Sequence, residues 1–207
     1  MYDRNTSIID FLNAAAAKQP TPGGGSVTAL CGALAGAMGE MVVNYSVGKK
    51  SLAAFEGELR AALDALHRAR MLMLELMVED QNAYTALTAA RKLPAGPERD
   101  SLFPAALLAS IRTPEAIGAT AVAILRICDQ IINFVNYHLL SDLAVCADLA
   151  MAAARCAVYN VRVNLADVTD PADRQRIEST IGQLLSHAGA LIQRISARIW
   201  ARHGQGG

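Results

Sequence analysis

Apolar residues recur every three or four positions along most of the chain, and no stretch alternates between apolar and polar residues as a half-buried β-strand does. The longest such pattern runs over residues 52–92, where leucines and methionines form one face and charged side chains fill the others. The pattern therefore predicts an all-α fold made of long helices.

Prolines and capping residues divide the rest of the pattern into further helices. Pro94 and Pro97 end the long helix and begin a short polar loop. Pro104 fits the first turn of a short helix, Pro114 starts the next helix, and Ser141 is the expected N-cap of the one after that. In chain order, the predicted helices cover residues 7–18, 26–47, 52–92, 105–111, 114–135, 142–165 and 171–200.

A proline- and glycine-rich stretch, Pro20-Thr21-Pro22-Gly23-Gly24-Gly25-Ser26, precedes the most apolar of these helices. The prolines favour an extended approach and the glycines allow a tight turn, with Ser26 as the expected N-cap. A turn that opens a helix presents free backbone N–H groups, which suits a polar or anionic ligand. Residues 27–43 are apolar or small except for Thr28 and Glu40, so we expect this Gly/Ala-rich helix to lie at the centre of the bundle.

Composition and charge narrow the class of protein. Hydrophobic residues make up 53% of the chain and aromatic residues only 5%, which favours close helix–helix packing over a β-sandwich. Lys+Arg and Asp+Glu number 19 each, so no excess charge points to nucleic acid or to an anionic membrane as a partner. No shift in composition marks a boundary, and we expect a single domain over residues 1–203 with a disordered tail at 204–207.

The cysteines and the N-terminus favour a cytoplasmic protein. Cys31, Cys128, Cys146 and Cys156 form no CxxC pair and lie within apolar helical patterns, as buried thiols in a reducing compartment do. The first residues do not have the pattern of a signal peptide.

A membrane-inserted helical protein is the alternative, because residues 27–43 approach the length of a membrane span. Against it, Glu40 lies within that run, and other apolar helices carry Arg126, Asp129 and Arg155 in mid-span. These charges favour a buried central helix, and no membrane partner is predicted.

The histidines predict no metal site. His67, His138, His187 and His203 form no i,i+3 or i,i+4 pair of the kind that ligates zinc. His138 differs from the others because it lies in a break between helices, just before Asp142, where it is a candidate to line a site.

Asp142, Asn160 and Asn164 share one face of a predicted helix. Asp142 and Asn160 are roughly five turns apart, or about 27 Å, so one small ligand does not reach both within a single chain. A long ligand would reach both residues. A small ligand would also do so if a second subunit brought one end of this helix next to the other. The alternative is structural: Asp142 complements the helix dipole, and the asparagines join neighbouring helices.

The central helix repeats this spacing, since Ser26 and Asn44 also lie roughly five turns apart on one face. Glu40 requires a cation, a hydrogen-bond donor or a ligand, because an isolated carboxylate is costly to bury. Lys49 and Lys50, where this helix ends, either bind an anionic group or complement the helix C-terminus.

Asp80 and Tyr84 are i,i+4 neighbours on the longest helix, with Glu79 and Gln81 beside them. They either belong to a site or form a polar cluster on the surface.

Six motifs follow one another in a recognisable order along the chain: Pro22-Gly23-Gly24-Gly25-Ser26, Gly48-Lys49-Lys50, Asp80 with Ala83-Tyr84, Ser141-Asp142, Asn160-Val161 and Asn164. The chain resembles the formiminotransferase-cyclodeaminase C-terminal domain family, which includes stand-alone methenyltetrahydrofolate cyclohydrolases. The resemblance covers nearly the whole length and is most specific in its first block. One segment departs from the family, because Val135-Asn136-Tyr137-His138 stands where members often have Gly-Asn-x-Asn.

The resemblance implies an all-helical homodimer that acts on one-carbon adducts of tetrahydrofolate, with no cofactor beyond the folate itself. Asp142 and Asp80 would be the catalytic carboxylates, and Lys49 a proton donor or an anchor for the folate glutamate. The expected substrate-binding residues are Gly23, Gly24, Gly25, Ser26, Asn44, Lys50, His138, Asn160 and Asn164.

Methenyltetrahydrofolate cyclohydrolase activity, which converts 5,10-methenyltetrahydrofolate and water to 10-formyltetrahydrofolate, is the expected function because no formiminotransferase half accompanies the domain. Formiminotetrahydrofolate cyclodeaminase activity is the alternative on the same fold. A non-catalytic folate-binding or assembly module is a third, suggested by the altered segment at residues 136–138.

Overall fold

The computed structural model describes residues 1–203, and the predicted tail at 204–207 lies outside the described residues. Within residues 1–203 the regular structure is helical, which confirms the all-α prediction. Three short 3₁₀ turns at 50–55, 137–139 and 165–167 join the longer elements. The six helices are α1 (Ile8–Ala16), α2 (Gly24–Asn44), α3 (Glu56–Lys92), α4 (Pro97–Ile131), α5 (Leu140–Arg162) and α6 (Pro171–His203).

The apolar helix α2 lies at the centre, packed against α3, α4 and α5. Small residues on its buried faces let the neighbouring helices approach closely: a Cβ at Gly36 would lie 2.9 Å from Arg70 Cβ, and one at Gly32 would lie 2.7 Å from Met73 Sδ. Tight packing therefore offsets the low helix propensity of these glycines, as the sequence predicts.

Glu40 has the partner that its position in α2 requires. Arg70 of α3 donates to both of its carboxylate oxygens, with Nη2 3.2 Å from Oε2, and His67 Nδ1 lies 3.4 Å from Oε2. This ion pair joins α2 to α3 on the flank of the core.

Helix α4 is one continuous helix, so the prediction of two separate helices over residues 105–111 and 114–135 was wrong. Pro114 is buried inside it, and because proline has no N–H, the carbonyl of Ser110 loses its helical partner. The side chain of Asn164 donates to that carbonyl at 3.0 Å and replaces the missing bond. Asn164, which follows the end of α5, thus allows α4 to continue as a helix past Pro114.

Three smaller predictions also differ from the structure. Gly23, not Ser26, is the N-cap of α2, and Leu139, not Ser141, is the N-cap of α5. Cys156 is exposed, although the sequence pattern indicates a buried thiol.

Helices α2 and α4 are long and apolar enough to cross a membrane, judged by length and composition alone. In the most apolar windows of the two helices, 56% and 50% of the residues are buried inside the protein. The core helices of a soluble protein pass the same test, so this finding is weak support for a membrane span, and the absence of a membrane partner stays a prediction.

Candidate functional site

The glycine-rich loop opens directly into α2. Gly23 is the N-cap, no side chain caps this end, and the first intrahelical bond runs from the Val27 N–H to the Gly23 carbonyl. The N–H groups of Gly24 and Gly25 precede that bond and therefore have no carbonyl partner within the helix. The loop has the geometry that the sequence predicts for a site that binds a polar ligand.

A cavity of about 240 Å³ lies beside this helix start, between α2, α3, α4 and α5. Six of the candidate residues from the sequence line it together, although they come from three separate parts of the chain: Gly23, Gly24, Gly25, Asp80, Asn160 and Asn164.

Asp80 projects from α3 toward the start of α2. The hydroxyl of Ser26 donates to Asp80 Oδ2 at 2.9 Å, and the Ser26 backbone N–H donates to the same carboxylate. Burial raises the pKa of Asp80 above its usual value, and the two hydrogen bonds from Ser26 partly oppose that rise. A carboxyl group with a raised pKa inside a cavity is suited to accept and return a proton.

Gly25 is the residue on which this approach depends. A Cβ at this position would lie 1.8 Å from Asp80 Oδ1, a distance that no side chain tolerates. Any residue other than glycine here would therefore displace the Asp80 carboxylate.

Asn160 and Asn164 both join helices and line the cavity. The Asn160 amide donates to Thr28 Oγ1 and to the Cys156 carbonyl, and the Asn164 amide donates to the carbonyls of Ser110 and Asn160. Each NH₂ group is thus used by the protein, which leaves the Oδ1 atoms to accept hydrogen bonds from a ligand. The structural interpretation of these asparagines is correct, and their positions also suit the functional one.

Sequence reasoning missed Arg91, which lines the same cavity from α3. Asp80, Tyr84, Leu87 and Arg91 form one i, i+4, i+7, i+11 stripe, and all four side chains line the cavity. Extending the Asp80–Tyr84 pair along that stripe would have found Arg91. Its guanidinium forms an ion pair with Asp167 in the turn after α5.

The other predicted residues lie at the opposite end of α2 and α5. Asn44, Lys49, Lys50 and His138 are exposed, and Asp142 is half-buried in the first turn of α5. None of them lines the cavity that contains Asp80.

The turn at 136–139 belongs to this second group, because the Asn136 N–H donates to Ser46 Oγ at 2.9 Å, near the end of α2. Helices α2 and α5 run antiparallel, since the start of α2 meets the end of α5 through the Thr28–Asn160 bond. The structure therefore divides the predicted site into two groups that lie about 27 Å apart.

A larger cavity, of about 380 Å³, lies between α4 and the start of α6. Its floor is apolar, and its charged rim residues Arg112 and Arg176 pair with Glu115 and Asp173. None of the candidate residues from the sequence lines it. Among residues 1–203, no three His, Cys, Asp or Glu side chains converge as metal ligands, and the expectation of a metal-free site stays a prediction.

Comparison with known proteins supports the resemblance seen in the motifs. The sequence profile of the formiminotransferase-cyclodeaminase family matches residues 7–183. Methenyltetrahydrofolate cyclohydrolase from Methylorubrum extorquens is 30% identical over 199 residues, which cover 92% of this chain and 94% of that protein. Formimidoyltransferase-cyclodeaminase from Mus musculus is 29% identical over 89% of this chain, and the match spans 35% of the mouse protein.

The fold agrees with a solved structure as well. The crystal structure of formiminotetrahydrofolate cyclodeaminase from Thermotoga maritima matches with a TM-score of 0.89 and 25% identity, over 95% of this chain and 97% of that one. The resemblance inferred from the motifs is confirmed. The chain belongs to the formiminotransferase-cyclodeaminase family.

Proposed function

We propose that this protein is a folate one-carbon enzyme, a methenyltetrahydrofolate cyclohydrolase that converts 5,10-methenyltetrahydrofolate and water to 10-formyltetrahydrofolate. The observation that carries the proposal is the Asp80 carboxylate, held by Ser26 at the wall of a cavity that the glycine loop borders. The likeness to the Methylorubrum cyclohydrolase over 94% of its length supports hydrolysis in particular.

The chemistry requires a group that manages protons beside a cationic carbon. Asp80 takes a proton from water as the water oxygen bonds to the amidinium carbon, and its negative charge stabilises the cation before attack. The carboxylic acid then returns the proton to N5 as the carbon–N5 bond breaks. The hydroxyl of the tetrahedral intermediate loses its proton to solvent as the formyl group forms, so the balance releases one proton.

The acceptor atoms of Asn160 and Asn164 and the N–H groups of Gly24 and Gly25 border the same cavity, where they would bind the polar edge of the pterin. The chemistry uses only the folate and water, so we propose no metal or other cofactor. We also propose a cytoplasmic location.

The cavity is too small for the whole substrate. Its volume of about 240 Å³ is below the ~300–1,000 Å³ of pockets that enclose a drug-sized ligand, so one chain holds only the reactive end of a folate. Lys49, Lys50, His138 and Asp142 are at the wrong end of the same chain to complete the site.

We infer that a homodimer supplies the missing part. Val27, Leu34 and Tyr45 form an apolar stripe along the outer face of α2, with exposed fractions of 46%, 51% and 62%. Leu34 is the midpoint of α2, and a twofold axis there would place the two α2 helices antiparallel. Asp142 of the partner subunit and its neighbours would then lie beside Asp80.

Formiminotetrahydrofolate cyclodeaminase activity is the second candidate, favoured by the close structural match to the Thermotoga enzyme. In this reaction N10 attacks the formimino carbon and ammonia leaves. The same carboxylate would protonate the departing nitrogen, so the residues that would perform the two reactions are shared.

Turnover of the two folates by the purified protein distinguishes these reactions. With 5,10-methenyltetrahydrofolate we expect enzyme-dependent loss of the methenyl absorbance. Gain of that absorbance from 5-formiminotetrahydrofolate, with release of ammonia and no hydrolysis, would instead assign the cyclodeaminase. Folate binding without turnover of either compound would contradict both and indicate a non-catalytic binding module.

A further inference from the structure

Ser26 is the residue whose surroundings fit its expected role least well. The sequence predicts contact with substrate, yet the side chain is fully buried and does not line the cavity. Its hydroxyl donates to Asp80 Oδ2 at 2.9 Å, and its backbone N–H donates to the same carboxylate. Every described polar contact of the side chain is therefore with Asp80.

The two oxygens of Asp80 have different surroundings as a result. Oδ2 accepts from Ser26, whereas Oδ1 lies against Gly25 at the wall of the cavity. Oδ1 accepts no hydrogen bond from a described side chain, and we expect it to be the oxygen that exchanges a proton with a substrate.

No cation neutralises Asp80 among the residues that line the cavity. On α3 the other titratable groups there are Tyr84 and Arg91, and Arg91 is paired with Asp167. The lining residues from the loop and α2, from α4 and from α5 carry no titratable side chain. Within one chain, the hydrogen bonds from Ser26 are therefore the main interaction that lowers the pKa of Asp80 and favours its ionised form.

We propose that Ser26 is a positioning residue for the reaction: its hydroxyl holds Asp80 with Oδ1 directed at the substrate and favours the ionised form of the carboxylate. The proposal rests on the proposed function of Asp80 as the proton-transfer group. According to this proposal, Ser26 lowers the proton affinity of the Asp80 carboxylate, which a purely structural serine would not do.

The pH dependence of Ser26→Ala tests this role. Removing the donor destabilises the ionised form, so the pKa of Asp80 rises and the acid limb of kcat/KM moves to higher pH by about one unit. We expect kcat to fall more than KM rises. The carboxyl carbon of Asp80, followed by ¹³C NMR, should titrate at the same higher pH.

Two further variants separate this role from loss of folding. Thr120→Val removes another buried hydroxyl, one that donates to the Ala116 carbonyl within α4, and it should leave the titration of Asp80 unchanged. Ser26→Cys replaces the hydroxyl with a larger thiol that is a weaker donor, and it should shift the titration in the same direction as Ser26→Ala.

An Asp80 titration in folded Ser26→Ala or Ser26→Cys that matches the wild type would overturn the proposal. If the wild-type protein turns over neither folate, the proposed function fails, and the NMR titration still decides whether Ser26 controls the carboxylate.

Discussion

Asp80→Asn is expected to lower kcat by about 10²–10⁴-fold, the range that removal of a general acid–base group produces. The substitution preserves the shape of the side chain and its contact with Ser26, but asparagine does not exchange a proton. The measurement is steady-state turnover of 5,10-methenyltetrahydrofolate by the purified variant.

The same substitution should not cost stability at neutral pH. Burial raises the pKa of Asp80 in the folded protein, so the contribution of this carboxyl to stability is present below the unfolded pKa and is lost as pH rises through the folded pKa. Above that range the partly buried ionised group is unfavourable, and asparagine removes it. The variant should melt at the same temperature as the wild type or higher, and this difference should vanish in acid.

Glu79→Gln is the matched control, because Glu79 is adjacent on α3 but exposed. It should retain wild-type turnover. Full activity of Asp80→Asn would show that Asp80 takes no part in the reaction. A large fall in the melting temperature of Asp80→Asn would instead show that its loss of activity comes from loss of folding.

Gly25→Ala is expected to reduce kcat by about 10²-fold, the effect of moving a catalytic group by about 1 Å. The new Cβ would lie 1.8 Å from Asp80 Oδ1, whereas contacts under 3.0 Å are not tolerated, so the carboxylate must retreat. Alanine favours the helix by up to about 1 kcal/mol relative to glycine, so the helix itself should persist. Turnover and circular dichroism of the variant measure the two effects separately.

Gly24→Ala provides a graded comparison at the next position. There the Cβ would lie 3.2 Å from Asn160 Oδ1, which a small side-chain shift relieves, so a much smaller loss is expected. Equal losses in the two variants would indicate that the loop requires glycine for its backbone conformation and not for the approach of Asp80.

Local sequence patterns predict much of this fold, because helical periodicity and the glycine-rich loop are properties of neighbouring residues. The buried position of α2 follows from its composition in the same way. The continuity of α4 does not, since the bond that compensates for Pro114 comes from Asn164, 54 residues beyond Ser110. A prediction that considers only neighbouring residues therefore ends the helix before Pro114.

The candidate site, too, is only partly predictable from local sequence. The glycine loop, Asp80 and the two asparagines are recognisable as motifs, but their assembly in one cavity depends on how α2, α3 and α5 pack. Local sequence predicts an N-cap at Ser26, because its actual partner, Asp80, lies 54 residues away and is not visible to a local pattern. Helix geometry alone places Asp142 far from Asn160, and the structure retains that separation within one chain.

We propose that the folate site is assembled from the Asp80 end of one subunit and the Asp142 end of its partner. Heterodimers of Asp80→Asn and Asp142→Asn, purified with two different tags, test it most directly. Each parent homodimer should be inactive, whereas the heterodimer contains one intact site and should regain about half of the wild-type activity. A heterodimer as inactive as its folded parents, or undiminished turnover by the Asp142→Asn homodimer, would contradict the shared site.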